Sequence, residues 1–195
     1  MPKSNKERTE ATRADLLGAA RTLFIDRGYA DTATPDIVAA AGVTRGALYH
    51  HFEDKKALFR DVVEREAAAV AAEVDAASPD SLPALEALIK GGEAYLAAMR
   101  EPGRTRLLLL DGPAVLGRTE MDAIDNRHST RSLKAGITFA VREGAMPRAL
   151  PIDAVTALLS AAFDRAALAV EAGGDAEQYR RGMEAILEGL IVPLS

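Results

Sequence analysis

The stretch RGALYHH, residues 45–51, gathers hydrogen-bond donors and contains no carboxylate. The guanidinium fork of Arg45 matches the O6 and N7 acceptors that guanine shows in a major groove. Gly46 lets a backbone approach closely. Tyr49, His50 and His51 can donate to phosphates. Lys55 brings a cation to a helix start, where an anion is already welcome. This chemistry suits duplex nucleic acid, with a base edge for Arg45 and the sugar–phosphate backbone for the rest. Each residue also has a plainer reading. Arg45 is then a solvated surface charge, Tyr49 lies over its own helices, His51 is a core or capping histidine, and Lys55 pairs with Glu53 or Asp54.

Such residues work only if a rigid element presents them. Leu16, Leu17, Ala20, Leu23 and Phe24 recur at helical spacing, which predicts a helix from Thr9 to about Arg27, ended by Gly28. A short helix over 35–41 follows, with Thr32 and Thr34 as candidate caps and Pro35 in the first turn. Gly42 then turns the chain, and a second short helix runs over 45–52 with Thr44 as N-cap. Ile37, Val38, Val43, Leu48 and Phe52 make a shared apolar seam, which leaves Arg45, Gly46, Tyr49 and His50 outward. That is the arrangement of a helix-turn-helix whose second helix enters a major groove. A longer helix is expected over 55–76. Lys3 and Lys6 are expected in a disordered terminus rather than in a basic arm.

Residues 9–59 resemble the TetR family of bacterial transcriptional regulators. The resemblance is carried by Ala20, Leu23, Phe24, Gly28-Tyr29, Thr32, Ile37, Ala41-Gly42-Val43-Thr44, Gly46, Leu48 through Phe52, Lys55 and Leu58. It implies an all-α homodimer: an N-terminal three-helix bundle with the helix-turn-helix, and a larger C-terminal domain for ligand binding and dimerisation. The corresponding domains are 1–54 and 55–195, joined by the helix over 55–76. Carried over position by position, the DNA-contacting residues are Thr34, Thr44, Arg45, Gly46, Ala47, Tyr49, His50, His51 and Lys55. Two positions depart from the family pattern. Val38 stands where a small alanine is usual at the helix crossing, and Thr34 where many members have valine.

Beyond Ser78-Pro79-Asp80 and Pro83, helices are expected at about 83–100, 104–116, 119–143, 152–172 and 175–191, with breakers such as Pro102-Gly103 and Gly173-Gly174 between them. Tyr95, Met99, Met121 and Phe163 are candidates for lining a mostly apolar cavity. Packing alone would also explain them. His128 lies among apolar neighbours on the expected 119–143 helix, as a core histidine or a ligand contact. Asp111 is expected to cap a helix or to face the pocket. The last two helices carry apolar stripes, Leu158 through Val170 and Tyr179 through Leu190. The resemblance implies that they pair across a two-fold axis, so that two recognition helices read a palindromic operator.

Composition narrows the alternatives. The 195 residues hold no Cys and three His, which excludes a disulfide framework, a thiol nucleophile and a zinc finger, and no cofactor or metal is expected. The net charge of −5 argues against indiscriminate coating of a polyanion, yet residues 1–65 carry net +1 and the remainder −6. The opening MPKSNKERTEATRAD lacks the apolar run of a secretion signal and no stretch is long enough to span a membrane, so a cytoplasmic protein is expected. A ligand-responsive regulator, in this family most often a repressor, is the leading expectation. An architectural DNA binder without an effector is the second. A helical enzyme is the third, resting on His128 and Asp125 as a thin dyad.

Overall fold

A computed structural model describes residues 5–79 and 81–191 and is all-α among them. The elements are α1 (Asn5–Arg27), α2 (Thr34–Ala40), α3 (Arg45–His51), α4 (Lys55–Ala77), α5 (Ala84–Ala98), a π-helical stretch (Arg106–Asp111), α6 (Gly112–Leu116), α7 (Arg118–Arg127), α8 (Ser129–Arg142), α9 (Ile152–Glu171) and α10 (Ala176–Glu188). Lys6 lies within α1, contrary to the expected disorder, while Lys3 falls outside the described residues.

Packing divides the chain into two compact units. The first comprises the chain through Arg65 together with Arg106–Arg118, and the second comprises Glu66–Thr105 and the chain from Thr119 onward. In the first unit α1 packs on α2, α3 and the π-helical stretch. Its core is built from Leu16, Ala20, Phe24, Ile37, Leu48, Leu58, Phe59 and Leu107, all closed to solvent. Phe24, Tyr29 and Phe59 form a ring cluster with centroids 5.1–5.8 Å apart. In the second unit α5, α8, α9 and α10 enclose Leu88, Ile137, Leu159, Phe163, Met183 and Leu187. Burial of such side chains stabilises by roughly 1.5–3 kcal/mol each.

Three expectations need correction. The helix expected over 119–143 is two, α7 and α8, broken at His128, whose φ of −121° and ψ of −109° are not helical. Asp125, Asn126, His128, Ser129 and Thr130 are poor interior helix formers, and their clustering makes a break cheap. Neither Thr32 nor Thr34 caps α2, because Ala33 occupies the N-cap and provides no side-chain bond. Thr32 turns its hydroxyl inward instead, donating toward the Leu23 and Gly28 carbonyls at 3.1 and 2.7 Å. Asp111 makes no capping bond either, and pairs with Arg106 at 3.1 Å. The π-helical stretch before α6 explains how Gly112-Pro113 is accommodated. Pro113 has no amide hydrogen and would crowd a preceding carbonyl, and a wider turn relieves both problems.

Candidate nucleic-acid interface

The outward face of α3 is built from its inward one. Leu48 is closed to solvent and Phe52 nearly so, which fixes the rotation of this seven-residue helix. Gly42, at φ +65°, makes the turn that brings α3 against α2, a conformation side chains strain to adopt. Thr44 caps α3, its hydroxyl oxygen accepting from the Ala47 amide at 3.2 Å, as its position predicts. The helix is too short to hold its direction alone, so the cap and the buried seam define it.

On the exposed face Arg45, Tyr49 and Thr34 converge. Tyr49 is 44% exposed, and the Arg45 guanidinium carbon sits 5.5 Å from its ring centroid. Hydrogen bonding first to the Thr34 side chain and then to Arg45 lowers the Tyr49 phenol from its ordinary 10.0. Thr34 thus belongs to the same cluster, although it begins a different helix. Gly46 and His50 are exposed as well, and Ala47 is half-buried. A methyl group built on Gly46 would meet nothing nearer than the Thr44 hydroxyl at 3.9 Å. Nothing inside the chain requires glycine there.

Two of the predicted contact residues face a different environment. His51 is half-buried, 5.3 Å from the His50 ring and 6.2 Å from Phe52. Burial first, then the nearby His50 and Arg13, lower its pKa from 6.5, which favours the neutral imidazole. Lys55 directs its ammonium inward. It donates to the Tyr29 carbonyl at 2.8 Å and the Thr32 carbonyl at 2.9 Å, and lies 4.2 Å from the Tyr29 ring centroid. Those contacts tie the start of α4 to the turn after α1.

Within the second unit a cavity of about 710 Å³ opens among α4, α5, α8 and α9. Leu88, Phe139 and Phe163 supply apolar wall, and Tyr95 borders it. The Tyr95 hydroxyl donates to Asp164 at 2.5 Å, and burial together with Asp164 holds that phenol well above 10. Of the six residues expected at a pocket, Tyr95 and Phe163 line this cavity, whereas Met99, Asp111, Met121 and His128 do not. Met99 is buried beside Thr105 and Ala167. His128 and Asp125 sit at the α7–α8 junction, and neither borders the cavity. Sequence reasoning missed Ser132, Arg131 and Arg142 on the wall. They share a face of α8 with Ala135 and Phe139, but as polar residues they fell outside the search for an apolar lining. Among the described residues no group of His, Asp or Glu gathers where it would hold a metal.

The family model for bacterial regulatory proteins of the tetR family matches residues 16–62. A second, for the tetracyclin repressor-like C-terminal domain, matches 85–194, more than half of the chain. The chain belongs to the TetR family. A TetR-family transcriptional regulator from Pectobacterium atrosepticum shares 36% identity over 99% of this chain and 100% of its own, with a TM-score of 0.76. The Transposon Tn10 TetC protein of Escherichia coli is 25% identical over 160 residues, 81% of this chain and 79% of its own. The HTH-type transcriptional regulator AcrR of Shigella flexneri is 42% identical over 64 residues, and this match spans 33% of the chain and 30% of AcrR. The α2–α3 unit is therefore the DNA-binding helix-turn-helix of a transcriptional regulator, and among its described residues no helix is long and apolar enough to cross a membrane.

Proposed function

We propose that this TetR-family chain is a cytoplasmic repressor that binds a palindromic operator as a homodimer and leaves it when a small, mostly apolar effector fills the cavity of the second unit. The cluster of exposed Arg45 and Tyr49 with half-buried Thr34, held over a buried Leu48–Phe52 seam, carries this reading. Arg45 reads a base edge, while Thr34, Thr44, Tyr49 and His50 position the helix on phosphates. Gly46 and Ala47 let the backbone come close.

The second copy is supported by α9 and α10. Their inner stripes, Leu159, Phe163, Ala166, Met183 and Leu187, are used up in the core of the unit. A neighbouring stripe stays outside, with Leu158 at 72% and Ile186 at 48% exposure beside the exposed small residues Ala161, Gly182 and Ala185. An exposed apolar stripe flanked by small residues suits close helix pairing across a two-fold axis. Such a dimer places two recognition helices one DNA turn apart, roughly 34–36 Å.

The effector is supported by the cavity, whose volume lies in the ~300–1,000 Å³ range of small-molecule sites. An architectural DNA binder needs no such space, and the His128–Asp125 dyad of the enzymatic reading faces none. Selecting fragments of genomic DNA with purified protein tests the proposal. Enrichment of one palindromic site supports it; equal recovery of all duplexes at every salt concentration overturns it in favour of an architectural role.

A further inference from the structure

The charge around the cavity says more about its occupant than its volume does. Its wall carries two cations, Arg131 and Arg142, against one carboxylate, Asp75. A smaller cavity of about 410 Å³ shares Arg131 and Arg142 and adds Lys134 and Thr138. Spacings of three, four and four residues put these four side chains on one face of α8. The cations differ in how they are occupied. Lys134 pairs with Asp153 at 2.6 Å, and Arg131 with Asp75 at 3.3 Å. Arg142 lies 5.7 Å from the Phe139 ring centroid and meets no carboxylate among the described residues. Deeper in the wall, the Ser132 hydroxyl oxygen is shut from solvent with no hydrogen-bond partner among the described residues.

We propose that the effector is an amphipathic monoanion, an acyl or aryl carboxylate. Its hydrocarbon part lies against Leu88, Phe139 and Phe163, and its carboxylate engages Arg142 and replaces Asp75 as the partner of Arg131. A neutral apolar molecule would leave Arg142 and Ser132 as they stand. An organic cation would meet two like charges for each opposite one. The exchange at Arg131 is electrically simple, since one carboxylate takes over from another and the planar fork suits either. It also frees the far end of α4, which carries Asp75, from α8. This proposal rests on the reading of the chain as a ligand-responsive regulator and adds the chemical class of the ligand.

Calorimetric titration of the full chain, without DNA, against decanoate, decanol and decyltrimethylammonium separates the possibilities at constant chain length. Decanoate is expected to bind about tenfold more tightly than decanol, the scale of a partly solvated charge-assisted pair. Arg142→Gln and Arg131→Gln should each bring decanoate down toward decanol and leave decanol itself unchanged. Asp75→Asn should tighten decanoate binding, because Arg131 then awaits the ligand unpaired. Equal affinity for decanoate and decanol, preference for the ammonium compound, or no decanoate binding overturns the proposal. The wild-type series alone decides this, so poor folding of a variant does not blunt it. Selection of genomic DNA by the unliganded protein tests the regulator reading separately, and either result can fail while the other stands.

Discussion

Replacing Lys55 by methionine discriminates a clasp from a phosphate contact. Methionine keeps an apolar stem of similar length and removes the ammonium alone. In the folded chain that ammonium donates to two carbonyls at 2.8 and 2.9 Å and rests over the Tyr29 ring. Hydrogen bonds to a charged group contribute about 1.5–3 kcal/mol each when well shielded, and a cation–π contact about 0.5–1 kcal/mol at an accessible site. Lys55 is half-buried, so part of this is lost to solvent, and a total cost of about 2–4 kcal/mol is expected. Urea denaturation of the full chain measures it as a lowered midpoint. Operator binding followed by fluorescence anisotropy across a salt series measures the alternative. With the donors turned inward, the slope of log affinity against log salt should stay the same. A phosphate ligand would behave in the opposite way, flattening the slope by about one and leaving the urea midpoint within ~0.5 kcal/mol of wild type. That second pattern would refute the clasp.

Arg45→Ala should weaken operator binding by roughly 1–3 kcal/mol and relax preference at one base position, measured by competition between operator variants; uniform loss across all variants would remove Arg45 from base readout. Arg104 is 7% exposed and donates to Glu66, itself 6% exposed, at 3.0 Å, so Arg104→Met should cost about 3–5 kcal/mol in urea denaturation by taking the guanidinium away from a buried carboxylate, and adding Glu66→Gln should recover part of it. Asp125 has its pKa raised from 3.8 to about 6, by burial first and then by Asp164. A carboxyl raised in the folded state adds stability that is complete below about pH 4 and lost as pH rises through 6, by up to about 3 kcal/mol. Asp125→Asn should therefore gain on wild type between pH 4 and 7 in denaturation midpoints; a constant difference would show that Asp125 titrates normally.

What was legible in the sequence depended on how far each signal reached. The helix-turn-helix could be read because its signals are local: Gly42 needs its positive φ, Thr44 caps within three residues, and Leu48 and Phe52 set the phase of a short helix. The same locality misled at residues 119–143, where apolar periodicity continued through His128 although the polar cluster around it breaks the helix. The cavity was partly hidden because its walls come from helices distant in sequence. Tyr95 and Phe163 were identified by type and spacing. Gly92 and Gly136 were not, yet a methyl group on Gly92 would come 2.7 Å from the Phe163 ring and one on Gly136 2.8 Å from Leu88. Their role is visible only once α5, α8 and α9 are side by side. Lys55 shows the reverse case. Its position at a helix start was correctly anticipated, but the carbonyls it meets belong to a turn more than twenty residues earlier.

The open space beside Gly46 divides two kinds of selection. Since the interior tolerates a methyl group there, a library at this position sorted for expression or heat resistance should scarcely distinguish glycine from alanine or serine. Sorted for occupancy of its operator, the same library should recover whatever the DNA surface itself admits.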